Sequence, residues 1–170
     1  MKIPVFVSSP TWLNETQDKA RKAILRLIDN LNMEPRALGR TDYPIDLPLR
    51  EVLVIARHCS GGMILGFNQF TALTGVAKPG TKKEENQSGV GFPTPWNHLE
   101  AGILYSLGLP LVVLREDGIT GGIFDAGVTD VFVHRMPSEP EEIDDLKEVM
   151  LRWRARVDTV YYSSAPRTRL

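Results

Sequence analysis

Short apolar runs rich in β-branched residues alternate along this chain with stretches whose apolar residues return at helical spacing, and that alternation limits the fold most. The runs are residues 3–7, 63–67, 111–114 and 131–133, with a weaker one at 36–38. Ala20, Ala23, Ile24, Leu27, Ile28 and Leu31 define an amphipathic helix over 14–31, opened by Asn14 with Gln17 three residues on. Pro48 opens a second helix, with Leu49, Val52, Leu53, Ala56 and Cys59 on its apolar face. Thr94 and Pro95 start a third that stops at Gly108. Ser138 with Glu141 forms a capping box for the last, lined by Ile143, Leu146, Met150, Trp153 and Val157. Strands and helices in this order imply an α/β chain with a sheet covered on both faces and right-handed crossovers. The expected architecture is one doubly wound, flavodoxin-like three-layer domain over residues 1–162, with a five-stranded, mostly parallel sheet. Residues 71–93 have almost no periodicity and read as a mobile loop or lid. The tail at 163–170 reads as flexible.

Composition narrows the function by exclusion. At 170 residues and 42% hydrophobic, the chain can bury an ordinary core without covalent staples. Its one cysteine, Cys59, rules out an internal disulfide and any multi-cysteine zinc site. His58, His98 and His134 have no metal-ligand spacing, so no metal is expected. A net charge of −1 gives no general attraction to nucleic acid or anionic membrane. The most apolar stretch, 101–114, is too short for a membrane span and is broken by Ser106 and Pro110. The first residues lack the pattern of a signal peptide, which makes a reducing cytoplasm the expected compartment. There is no G-x-G-x-x-G after the first strand, no P-loop and no G-x-S-x-G elbow.

In open α/β sheets, ligands bind beyond the carboxyl ends of the strands, where the strand order reverses. Those ends carry Ser8 and Ser9, the stretch 39–43, Asn68 and Gln69, and Arg115, Glu116 and Asp117. On the third helix, Trp96, Ile103, Leu104 and Leu107 fall on one stripe expected to face the sheet, and Glu100 lies inside it. A carboxylate there is costly unless it is paired or opens into a pocket. Two explanations follow. Glu100 is an acid, base or nucleophile with a raised pKa, or it is locked to an arginine such as Arg40 or Arg115. Trp96 either belongs to the core or offers a ring face to a flat base. Ser8 and Ser9 either hold ribose or phosphate or simply end the strand. Arg40, Asp42 and Tyr43 either contact a nucleotide or form a solvated loop, and Asn68 and Gln69 are open in the same way.

The segment Val5-Phe6-Val7-Ser8-Ser9, the helix opening Trp96-Asn97-His98-Leu99-Glu100 followed by Ala101-Gly102, and the passage from Leu107 through Gly108 and Pro110 to Leu114 together resemble TIR-like domains and their structural relatives, the nucleoside 2-deoxyribosyltransferases. The resemblance implies that Glu100 is the catalytic glutamate, matching a W-x-x-x-E-like spacing in NAD-cleaving TIR domains or the nucleophile of the transferases. It implies cleavage of an N-glycosidic bond. Of the substrates, NAD ranks first, giving a glycohydrolase or cyclase of the kind found in prokaryotic antiviral defence. No cofactor is then required, because NAD is itself the substrate. Nucleosides or nucleotides are the alternative substrates, and a non-catalytic nucleotide-sensing or scaffold module is the third reading. Trp96 or Tyr43 would pack on the base. Ser8, Ser9 and Arg40 would hold ribose or phosphate, and Asp42, Asn68, Gln69 and Asn97 complete the expected binding set. The implied partners are a nucleotide or nucleoside small molecule and a homo-oligomeric assembly, with neither nucleic acid nor membrane.

Overall fold

Strands covered on both faces must be apolar at nearly every position, and the three strongest runs become the centre of a parallel sheet for that reason. The computed structural model describes residues 1–38, 47–128, 131, 133–138 and 140–164, apart from the side chains of Pro140, Glu141 and Ser164. In chain order the elements are β1 (Ile3–Ser8), α1 (Glu15–Asn30), β2 (Met33–Arg36), α2 (Pro48–Arg57), β3 (Gly62–Gly66), β4 (Phe70–Ala77), β5 (Glu85–Phe92), α3 (Pro95–Ser106), β6 (Leu111–Arg115), a 3-10 turn (Gly122–Phe124), β7 (Val133–Arg135) and α4 (Pro140–Ser164).

The main sheet has five strands in the order β2-β1-β3-β6-β7, all parallel. This is the flavodoxin-like order, with its reversal between β1 and β3. Alternate residues feed two cores. Ile3, Val5, Val7, Met63 and Leu65 pack against Ile24 and Ile28 of α1 and Met150 and Val157 of α4. Phe6, Ile64 and Val113 pack against Val52 and Ala56 of α2 and Ala101 and Leu104 of α3. The three layers thus follow from the period of two along each strand.

Helix starts agree with the sequence. The Asn14 side chain accepts the Gln17 N–H at 2.9 Å, and Gln17 Oε1 accepts the Asn14 N–H at 3.1 Å. Pro48 sits in the first turn of α2. At α4, Glu142 accepts the Ser138 N–H at 2.6 Å, while the side chain of Glu141, the expected partner of Ser138, lies outside the described residues. α4 continues to Ser164, two residues past the expected end of the domain at 162.

The outer strands are displaced from their expected positions. β2 covers Met33–Arg36 where 36–38 was expected, and β7 covers Val133–Arg135 where 131–133 was expected, Phe132 lying outside the described residues. Both lie at sheet edges, where half-exposed residues, and a proline at 35, blur the apolar signal. The larger correction concerns 71–93. Instead of a loop, most of it is an antiparallel hairpin paired from Phe70↔Phe92 to Ala77↔Glu85. Neither face of this ribbon is buried, and Leu73 is 79% exposed, so the alternation that marks a half-buried strand never arose. Its tip turns through positive φ at Lys78 and Gly80, closed by the Gly80 N–H donating to Glu84 Oε2 at 2.6 Å.

Candidate active site

Alternation along β1 decides which residues reach the floor of the site. Val5 and Val7 face α1 and α4, so Phe6 and Ser8 face α2 and α3. Ser8 closes the carboxyl end of β1 and pairs with Ile64 of β3, at the point where the strand order reverses.

α3 descends onto that point. The Thr94 side chain accepts the Trp96 N–H at 3.3 Å, and Pro95 supplies the first helical position. The buried face consists of Asn97, Ala101 and Leu104. This corrects the expected stripe: of Trp96, Ile103, Leu104 and Leu107, only Leu104 is fully buried, and Trp96 is 41% exposed. Small Ala101 and hydrogen-bonded Asn97 let the helix approach the sheet more closely than its larger apolar residues allow. Gly62 completes the fit, since a Cβ there would stand 2.8 Å from Leu104.

Glu100 therefore lies on the flank of the buried face, beside a cleft of about 360 Å³. Ser9, Pro10, Thr11, Trp12, Leu38, Gln69, Thr94 and Trp96 line the rest of it. Burial pushes the Glu100 carboxyl up to about 7, and the neighbouring Ser8 hydroxyl partly opposes that rise. Arg115, one of the two arginines weighed as a structural partner, donates to the backbone carbonyl of Ile119. The other, Arg40, falls outside the described residues, as do Asp42 and Tyr43. A larger cavity of about 530 Å³, between Tyr105, Pro110, Leu111 and Arg156, lies at the opposite end of β6 and has no carboxylate among the described residues of its walls.

The other expected residues separate into two groups. Ser9, Gln69 and Trp96 join Glu100 at the cleft wall. Ser8 and Asn97 sit beneath it, 1% and 0% exposed, with Asn97 Nδ2 donating to Ser8 Oγ at 2.7 Å. Asn68 is a fastening. Its Nδ2 donates to Thr71 Oγ1 at 2.9 Å and its Oδ1 accepts the Phe92 N–H at 3.2 Å, tying the neck of the hairpin.

Sequence reasoning missed Trp12, 85% exposed on the cleft wall. A lone tryptophan in the polar loop after the first strand was the available signal. It also missed the brace behind the site. Glu116 Oε2 accepts the Asn68 N–H at 2.6 Å and Gln17 Nε2 at 3.0 Å, which joins the ends of β3 and β6 to α1. Among the described residues no group of three His, Cys, Asp or Glu side chains is placed to hold a metal ion, and no helix is long and apolar enough to cross a membrane.

No family model and no curated protein matches the sequence. Among solved structures, the fold is similar to that of a CMP N-glycosidase from Clostridium botulinum, BcmB, with a TM-score of 0.54 over 86% of this chain and 98% of that one. The two are 13% identical, so what they share is the fold.

Proposed function

We propose that this chain is an N-glycosidase that cleaves the bond between base and sugar in a mononucleoside or its 5′-phosphate. The observation that carries this reading is Glu100: a largely buried carboxylate titrating near 7, at the wall of a cleft at the switch in strand order. Breaking an N-glycosidic bond builds positive charge on the ribose ring, and a carboxylate beneath C1′ stabilises that charge or bonds to the carbon. A carboxyl pushed up to about 7 gains and loses its proton around neutral pH, where the ionised form this requires is within reach.

The cleft chemistry fits such a substrate. The exposed indoles of Trp12 and Trp96 offer faces for the base, while Ser9 and Gln69 offer hydrogen bonds to sugar hydroxyls. The 360 Å³ volume lies near the small end of the roughly 300–1,000 Å³ range of ligand sites, which favours a mononucleoside over a dinucleotide. Arg40, Asp42 and Tyr43 follow Leu38, which borders the cleft, and stay in the reading as phosphate and base contacts. The hairpin leaves the cleft at Gln69 and returns at Thr94, so it is the element we assign to closing over bound substrate. The likeness in fold to a CMP N-glycosidase supports the mononucleotide choice and lends nothing to NAD-cleaving TIR chemistry.

The test is incubation of the purified protein with CMP, other nucleoside monophosphates, free nucleosides and NAD, followed by chromatography of the released base. Release from a nucleoside or monophosphate, abolished in Glu100→Gln, is the expected result. Release of nicotinamide alone would return the site to NAD chemistry, and thermal stabilisation by ligand without turnover would make it a sensor.

A further inference from the structure

On the reading of the cleft as a nucleoside site, we propose that Gln17 is a positioning residue: its one carboxamide straps together two loops that carry the cleft walls, and so sets the spacing into which substrate fits.

The first loop follows β1 and brings Ser9 and Trp12 to the cleft, and the second follows β3 and brings Gln69. Gln17 stands in the first turn of α1, only 5% exposed, and both polar atoms of its side chain are bonded. Its Oε1 accepts the Asn14 N–H at 3.1 Å, where the first loop ends. Its Nε2 lies 3.2 Å from the Asn68 carbonyl oxygen, at the start of the second loop, and 3.0 Å from Glu116 Oε2, just past the end of β6. A carbonyl and a carboxylate only accept, so the amide nitrogen must occupy that side, and both of its hydrogens are used.

A helix cap needs only half of this. The Asn14–Gln17 box is complete without Nε2. The nitrogen reaches instead to partners 51 and 99 residues away in the sequence. Its hold on the second loop is reinforced, because Glu116 Oε2 also accepts the Asn68 N–H at 2.6 Å, and both backbone polar groups of Asn68 are thereby fixed. Gln69, the next residue, donates its N–H to the Phe92 carbonyl at 2.8 Å and its Nε2 to the Asn68 carbonyl at 3.1 Å. A shift of Asn68 therefore carries Gln69 with it, and with Phe92 the approach to Thr94 on the same cleft. Glu100 stands on α3, outside this set of bonds, so the strap bears on binding and not on the bond-breaking step.

Gln17→Glu separates the cap from the strap. One carboxylate oxygen still accepts the Asn14 N–H, while the other is turned against the Glu116 carboxylate and the Asn68 carbonyl. With CMP at pH 8, this variant should raise KM about tenfold and leave kcat within about twofold. Amide hydrogen exchange at Asn68 and Gln69 should quicken about tenfold or more, with Ile64 in β3 unchanged. Glu116→Ala should have the same effects, and Glu116→Gln, which keeps an acceptor oxygen, should stay near the wild type. Met150→Ala, a cavity in the core of α4, serves as the structural control and should lower Tm without moving KM. An unchanged KM in folded Gln17→Glu, or a loss confined to kcat, would overturn the strap and leave the N-glycosidase reading intact. No release of base from any nucleoside or monophosphate, or full activity in Glu100→Gln, would overturn that reading instead, and the strap would then stand or fall on the amide exchange.

Discussion

The floor of the cleft and the β4–β5 hairpin are neighbours in the chain and opposites in construction. At the floor, β1, β3 and α3 are buried so closely that glycines at 62 and 66 are required. A Cβ at Gly66 would stand 2.4 Å from the Phe124 ring. The hairpin has eight residues in each strand and still leaves Phe70, Leu73, Val76 and Phe92 exposed. A two-stranded ribbon of this kind gains little from its own burial and owes its place to its neck, where Asn68 bonds both Thr71 and Phe92. The difference teaches that burial is shared out unequally: one region is too crowded to change, one too bare to resist change.

Four measurements sharpen or break that contrast. The largest effect belongs to the floor. Glu100→Gln should lower glycosidase activity by about 10²-fold or more while the protein stays folded, read by base release and by circular dichroism. Next is Leu104→Ala, expected to cost about 2–5 kcal/mol in denaturant unfolding, because the fully buried side chain packs over Gly62. Third comes the stability of the site against pH. The folded value of Glu100, about 7, lies above its ordinary 4.5, so ionisation opposes folding. Stability is greatest below pH 4.5 on this account and falls as pH rises to 7. At pH 8, Glu100→Gln should exceed the wild type by about 2–3 kcal/mol, a difference that vanishes near pH 4. A variant no more stable than wild type at pH 8 would show that the acid is not strained by its burial. The smallest effect belongs to the ribbon: Leu73→Thr should change unfolding free energy by no more than about 0.5 kcal/mol. A loss of several kcal/mol there would mean that the hairpin is buried against something and would erase the contrast.

The same contrast explains what could be read from the residues alone. β1, β3 and β6 were visible because burial on both faces leaves no room for polar interruption, and α1 and α3 announced themselves through Asn14 with Gln17 and Thr94 with Pro95. The hairpin was invisible because an exposed ribbon imposes no alternation. Glu100 stood out as a charge among apolar neighbours, although the helix is rotated so that Asn97 and Ala101 face inward where Trp96 and Ile103 were expected. Size misled there: large residues are easy to count, whereas close approach is made by small ones. Trp12 and the Gln17–Glu116 brace depend on folding that brings distant segments together, and no local pattern encodes them.

The hairpin starts and finishes at one place. Phe70 and Phe92 pair across its neck with ring centroids 6.2 Å apart, and the residues just outside them lead directly to Gln69 and Thr94 on the cleft wall. Gly91, one pair further out, still bridges to Ile119, and what lies distal to it is a cassette. It can be trimmed, lengthened or exchanged by joining Ala72 to Val90 through a new turn, and the chain still re-enters α3 at the same spot. The chain can thereby be lengthened or shortened at this one place with Glu100 left where it stands.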